Sequence, residues 1–524
     1  MSLAATTNSA NSHGTVGNSQ AAPNGYKGAF KPKPELSTTA TEFKVFNNIG
    51  SYTDYIQDGG AWLGYFIRNA LLEDNGGNLY FVYGNAKQLW YAEYVLNTDT
   101  WSNTLIDTRS KGVAATSMVL DTNGNRWVFT SEITRVGNWD RYGDSAIYEE
   151  TGGSWSKATD LYVNRGWELT GPNDVAHTMI KDANNNLHVL FQREGWYSYG
   201  YAAKEMTYDT TARSLSGMTT ISGTSSGGQD DNRNDANNTI VLSSDGTIYV
   251  PMHDYVTISF FTGKSSTYGS WDTSTVLGYT GGYNNGVSYQ DESGNWHTVY
   301  TDSTMKNVYY GLNWGTPQEI YTSSGNIGYY PTDIIAVGNI VYISAIQYDS
   351  NANARGDYYL IVKDANGTWS APQQITSEAS WSSNQVPWAD GFAKKAHAST
   401  LIPTVYFAYL NQDGNCNSCP NGSSGGWSGA KLKILKITNS ATSTTTSVSS
   451  SENPSNYGDS VTFTATVTGV SPTGAVTFKD GVATIAAISL NGGGQASFST
   501  SSLSGGTHSI TAGYGGDSSN AAST

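Results

Sequence analysis

The sequence predicts an all-β protein: a seven-bladed β-propeller followed by a smaller strand-rich domain. Two observations carry that reading. The first is composition. Of 524 residues, 58 are glycine, 35 tyrosine and 15 tryptophan, while only 14% are charged, which mixes turn formers with strand formers. The second is a repeat. A strand, a Gly/Asn turn and a second strand recur, and the residue closing the turn is Asn78, Asn125, Asn186, Thr247, Asn295 and Asn339 in six copies, 44 to 61 residues apart. A seventh copy around Leu401–Tyr409 lacks the turn. Four strands at such a period mark a propeller blade.

The copy at residues 173–201 shows the unit most fully. A strand over Ala176–Lys181 meets the turn Asp182–Asn186, where Asn and Asp tolerate the left-handed backbone. Leu187–Gln192 is the second strand, Arg193–Trp196 a polar loop, and the alternating Tyr197, Tyr199 and Tyr201 open a third strand. Equivalent third strands are expected at Leu89–Tyr94, Ala146–Glu149, Ser259–Thr262, Val308–Leu312, Tyr358–Val362 and Lys431–Ile437. Trp-Ser pairs follow at Trp101, Trp155 and Trp369.

Residues 1–42 are rich in Ser, Thr, Asn, Ala, Pro and Gly and read as a disordered or loosely docked arm. The propeller is expected over 43–438, with Phe43–Phe46 supplying a closing strand to the last blade. Residues 439–451 are nearly all Ser and Thr and read as a linker. A second domain fills 452–524, with alternation at Val461, Phe463, Ala465 and Val467 and again over 509–514.

Twenty-eight basic against 43 acidic residues give a net charge of −15, which argues against nucleic-acid binding. No run of 18 apolar residues predicts a membrane span. No signal peptide is visible, and the start resembles an expression start on a mature secreted chain. The only cysteines, Cys416 and Cys419, admit a local disulfide, two free thiols or half of a zinc site. The disulfide is expected if the chain is secreted.

The turns at residues 121–127 (DTNGNRW) and 243–249 (SSDGTIY) look like degenerate Asp-boxes, so residues 43–438 resemble BNR/sialidase-like propellers. That family includes glycosidases, polysaccharide lyases and lectins, and the resemblance implies the fold without choosing among them. An arginine triad of the sialidase kind is not evident. Residues 452–524 resemble bacterial Ig-like repeats in the order YGDS, PTG, FKDG and GTHSI, which implies a C-terminal Ig-like β-sandwich and a secreted or cell-surface bacterial protein.

Chemistry is expected on the face where inner strands begin and second strands end. His188 and His297 stand two residues past their turn anchors, where other copies carry large or apolar residues, so they read as packing. His177 and His253 stand at strand entry and exit, where other copies are mostly small or polar. A catalytic set of His177, His253, Tyr255, Tyr197, Arg193 and Arg233 would suit eliminative cleavage of a uronic-acid polysaccharide: a base, an acid and a group that neutralises the carboxylate. Asn173, Asp174, Gln192, Glu194, Trp196, Asp235 and Asp254 are the candidate substrate-binding residues. Hydrolysis would instead pair two of Asp174, Glu194, Asp235, Asp254, Asp302 and Asp333. A lectin would stack sugars on Trp62, Trp139, Trp196, Tyr329, Tyr330, Trp381 or Trp388. No cofactor is required, though calcium at Asp230, Asp231 and Asp235 is an option. The expected partner is a polysaccharide or glycan, met by a monomer.

Overall fold

The computed structural model describes residues 37–46, 70–85, 87–109, 112–136, 139–161, 173–194, 202–223, 235–236, 241–242, 247–253, 260–267, 270–277, 287–291, 293–302, 304–313, 315–349, 354–364, 367–377, 390–395, 404–411, 431–440, 443–469, 471–517 and 520–524. Among them there is strand and turn but no helix. Among the described residues, therefore, no helix is long and apolar enough to cross a membrane.

Among the described residues seven sheets follow one another in chain order, antiparallel except where Lys394–Lys395 adds a parallel strand to the first. They lie within residues 71–108, 112–161, 173–223, 235–277, 287–322, 327–374 and, for the last, 390–440. The last sheet takes its outermost strand from the front of the chain: Ser37–Phe46 pairs with Lys431–Ser440. The closing strand thus begins six residues earlier than Phe43, inside the segment read as a loose arm, and its β-branched Thr38, Thr39 and Thr41 suit the ladder.

Contacts tie each sheet to the next. The first sheet shares one apolar core with the second and the seventh, through Phe81, Val128 and Tyr406 among others. Further cores join the second to the third, the fifth to the sixth and the sixth to the seventh. The Tyr249 and Trp296 rings, 5.4 Å apart, join the fourth to the fifth, and the strand Asn173–Lys181 lies against Val241–Leu242 of the fourth. The Trp-Ser tryptophans repeat one contact, each packing back on the preceding sheet. Trp155 lies 5.2 Å from the Tyr91 ring, Trp369 lies 4.8 Å from Tyr310, and Trp101 lies 5.7 Å from Phe46. The Trp101 contact joins the first sheet to the seventh.

The turns explain why these hairpins form. Asp182 Oδ1 accepts the backbone N–H of Asn184 and Asn186, both at 2.8 Å, and Oδ2 accepts Asn186 Nδ2 at 2.9 Å. Asp74, Asp121 and Asp291 repeat this with the residues two and four further on. The residue before each anchor is left-handed: Gly77, Gly124, Asn185 and Gly294 have φ of 78°, 82°, 65° and 82°. Six residues past each aspartate stands a ring with a polar hydrogen. Tyr80, Trp127, His188 and His297 all reach the same Oδ2, at 2.7, 3.3, 3.4 and 3.1 Å. The sixth sheet replaces this device with a two-residue turn, Gly338-Asn339, between paired Val337 and Ile340.

Residues 445–514 form two three-stranded sheets around Val461, Phe463, Ala465, Val476, Phe478 and Tyr514. The Ser/Thr stretch read as a linker over 439–451 contains one of their strands: Thr445–Ser450 pairs with Val461–Thr468. Ser440 still belongs to the seventh sheet, so residues 441–444 connect the two. Threonine's branched Cβ suits a pleated surface, which a reading from polarity alone misses.

Burial alone would raise the four turn carboxyls, but the hydrogen bonds outweigh it and hold Asp74, Asp121, Asp182 and Asp291 below their usual 3.8. A folded pKa below the unfolded one stabilises the fold above about pH 3.9, and that contribution is lost as pH falls through the folded values. Chemical denaturation between pH 7 and pH 2 is therefore expected to show stability falling below about pH 4. Asp121→Ala, which orphans four backbone and side-chain donors, is expected to cost about 1–3 kcal/mol at pH 7. An unchanged melting temperature in that variant would contradict the role assigned to the turn.

Candidate functional site at the third and fourth sheets

The inner hairpin of the third sheet is Asn173–Lys181 against Leu187–Glu194. At its end away from the Asp182 turn, Asn173 pairs with Glu194, Asp174 with Arg193 and Val175 with Gln192. Arg193 and Glu194 are therefore strand residues, not the loop their charge suggested: the ladder runs to Asn173 and satisfies their backbone groups. The third strand is Ala202–Asp209, displaced from the predicted Tyr197–Ala202. The tyrosine alternation that suggested the earlier position lies outside the described residues up to Tyr201.

His177 occupies a β-bulge. Ala176 pairs with Phe191 and Thr178 with Leu190, leaving His177 as the extra residue between them. Such bulges bend a strand and re-aim side chains. The first strands of the second and sixth sheets bulge as well, between Val113 and Ala115 and between Pro331 and Asp333. In the fourth sheet His253 ends its strand directly opposite Asp235 and Phe260. The backbone thus gathers Asn173, Asp174, Gln192, Arg193 and Glu194 at one end of the third sheet, and Asp235 with His253 at one edge of the fourth. Trp196, Tyr197, Arg233, Asp254 and Tyr255 lie outside the described residues, as do Asp230, Asp231, Cys416 and Cys419. Among the described residues no group of three or more His, Cys, Asp or Glu could hold a metal ion.

His188 and His297 are packing residues, 4% and 6% exposed. Asp291 Oδ2 can only accept, so His297 donates Nε2–H to it at 3.1 Å and accepts the Tyr310 hydroxyl on Nδ1 at 2.7 Å. Burial, helped by nearby Lys363, holds His297 below its usual 6.5 despite Asp291, so the ring is neutral at pH 7. His188 stands between Glu205, 2.8 Å from Nδ1, and Asp182.

Two of the carboxylates weighed for hydrolysis are structural. Asp302 caps a turn, accepting Thr304 Oγ1 at 2.8 Å and Asn307 Nδ2 at 2.5 Å. Asp333 is 6% exposed and binds Lys394 Nζ at 2.8 and 3.0 Å. Tyr329 and Tyr330 are 7% and 6% exposed and offer no stacking face to a sugar. Trp62, Trp381 and Trp388 lie outside the described residues, and Trp139 opens a strand of the second sheet, opposite Val136.

Sequence reasoning also passed over two charged seams between the first and second sheets. Arg126 donates to Glu150 at 2.8 Å and to Glu93 at 3.1 Å, with the Tyr80 ring 4.8 Å from its guanidinium. Arg109 donates to the Tyr148 hydroxyl at 2.6 Å, and that hydroxyl donates to Asp107. In a chain only 14% charged, a basic residue flanked by strand residues was the available signal.

Residues 440–524 match the family model described as bacterial Ig-like domain (group 3), so the C-terminal part of the chain is an Ig-like domain. No curated protein matches the chain. Among solved structures, the polysaccharide lyase Uly1 aligns with a TM-score of 0.42 and 8% identity, over 78% of this chain and 100% of that one. An ulvan lyase bound to -[GlcA(1-4)Rha3S]- aligns at 0.39 and 11%, over 72% and 94%. A Penicillium chrysogenum alpha-L-arabinanase complexed with arabinobiose aligns at 0.34 and 10%, over 58% and 94%. At these scores the likenesses decide nothing about the chain's chemistry.

The folded pKa of His297 lies below the unfolded 6.5, so its contribution to stability is full above that pH and shrinks as pH falls through the folded value. His297→Ala is expected to cost about 2 kcal/mol by removing a buried, doubly bonded ring, and denaturant titration at pH 7.5 measures it. A catalytic His297 would instead lose activity at unchanged stability.

Proposed function

We propose that the chain is a secreted bacterial carbohydrate-active protein that cleaves a polysaccharide at the third and fourth sheets, with elimination favoured over hydrolysis. The seven sheets are read as seven blades of a propeller over 43–438. The sheet-to-sheet cores and the repeated tryptophan contact, which also joins the first sheet to the seventh, support that count. An experimental structure with six or eight blades would overturn it.

One observation carries the site: the register that sets Asp174 opposite Arg193 and Asp235 opposite His253 at strand ends away from the turns. Elimination needs a base to remove the C5 proton, an acid to protonate the leaving oxygen and a cation to draw charge from the uronate carboxylate. In this reading His177 or His253 is the base, Tyr255 or Tyr197 the acid, and Arg193 or Arg233 the cation. Asn173, Asp174, Gln192, Glu194, Trp196, Asp235 and Asp254 hold the sugar. Hydrolysis loses ground because Asp302 and Asp333 already have structural partners. A lectin reading loses Tyr329 and Tyr330 to burial.

The test is a screen against uronic-acid polysaccharides, following the unsaturated product by ultraviolet absorbance and reducing ends in parallel. Rising absorbance supports elimination, and reducing ends alone support hydrolysis. Glycan binding without either leaves a lectin. His177→Ala and His253→Ala are each expected to lower turnover by about 10²–10⁴-fold at unchanged melting temperature, the span of a general acid–base group. Activity within threefold of the parent in both variants would remove the histidines from the mechanism.

A further inference from the structure

The Ig-like domain carries one histidine, His508, held from both sides. Its Nδ1 lies 2.6 Å from Asp480 Oδ2, and its Nε2 lies 2.9 Å from the carbonyl oxygen of Ser504. Both partners are acceptors with no hydrogen to give. A neutral imidazole has a single N–H, so it satisfies one of these contacts and not both. Only the protonated ring donates from each nitrogen.

The groups it joins are separate in sequence. Asp480 closes the strand Ala475–Asp480, next to the hairpin tip at Gly481 and Val482. Ser504 and Ser509 bracket the loop that leads into Ile510–Tyr514. The other oxygen of Asp480 accepts Ser509 N–H at 3.1 Å, and Gly481 N–H donates to the Ser509 carbonyl at 2.9 Å. Loop and tip are thus fastened around one carboxylate and one ring. The tip presents Val482, 98% exposed.

We infer that His508 is a proton-operated clasp: charged, it fastens the loop at 504–509 to the hairpin tip at 480–482, and on losing its proton it lets go of one side. On the elements packed against the ring, the charged groups are Asp480 and exposed Lys479. The strands Ala483–Ser489 and Ile510–Tyr514 carry none. The Ser504 carbonyl and Asp480 hold the ring's pKa above 6.5. A raised folded pKa stabilises below the unfolded value, and the effect is lost as pH rises through the folded one. The clasp therefore loosens on the alkaline side, opposite in sign to His297.

The experiment is a histidine carbon NMR titration of the full chain, with the His508 signal assigned by its loss in His508→Gln. The expected midpoint lies above 6.5 and falls in Asp480→Asn. Amide exchange of Ser509, corrected for intrinsic base catalysis, is expected to speed up several-fold across that midpoint in the parent. In His508→Gln it should stay flat. A midpoint at or below 6.5, or one that Asp480→Asn leaves in place, overturns the clasp. So does a Ser509 exchange rate without a pH step, and that measurement on the unmodified protein needs no variant to fold.

Discussion

One carboxylate joins three sheets. Asp333, in the first strand of the sixth sheet, accepts the backbone N–H of Phe392 in the seventh at 2.8 Å and binds Lys394 through both oxygens. Lys394 in turn pairs in parallel with Leu72 of the first sheet, the one parallel ladder among the described strands. Its ammonium also stands 5.6 Å from the Tyr289 ring of the fifth sheet. This contact sits where the beginning and the end of the repeat meet. Burying the charges is repaid only because each oxygen of Asp333 is occupied, and a single missing partner would leave a charge stranded.

The Asp turns and the bulges divide the inner hairpins into two functionally different ends. At the turn end, four copies repeat the same backbone hydrogen bonds to the aspartate, all between 2.7 and 2.9 Å, and the ring six residues on reaches the same oxygen whether it is tyrosine, tryptophan or histidine. Chemistry there is constrained to be structural. At the opposite end, registers differ from sheet to sheet. His177 is a bulge residue, while His253 ends a strand. Sites with individual character belong where the repeat relaxes.

Legibility followed the same division. The turn anchors could be read because Asp, Gly and Asn at fixed spacing have a backbone reason to be there, and His188 and His297 were sorted correctly by their offset from those anchors. The Ig-like domain could be read because alternation at Val461, Phe463, Ala465 and Val467 matches a half-buried strand. Errors arose where polarity stood in for conformation. Arg193 and Glu194 looked like a loop because they are charged, and Thr445–Ser450 looked like a linker because it is all small and polar apart from one valine. Both are strands, since ladder pairing depends on the partner and not on side-chain polarity. Asp333 was grouped with possible catalytic acids because its partner lies 61 residues away, beyond any local pattern. The same turn chemistry recurs in the Ig-like domain, where Asn491 accepts Gly493 and Gln495 N–H ahead of a left-handed Gly494. Local rules are blind to which domain they serve.

The position of the strand Lys431–Ser440 has a mechanical consequence. It is the last strand of the seven-sheet region, it leads through four residues into the Ig-like domain, and it is paired on both sides, to Thr404–Asn411 and to Ser37–Phe46. A pull on the C-terminal domain is delivered along this strand. Its two ladders lie parallel to the load, so their bonds resist together in shear and do not open one at a time. The first segment of the seven-sheet region in the chain thereby acts as a clamp on the last, and tension applied to the Ig-like domain is spread over the seventh sheet before it reaches the others.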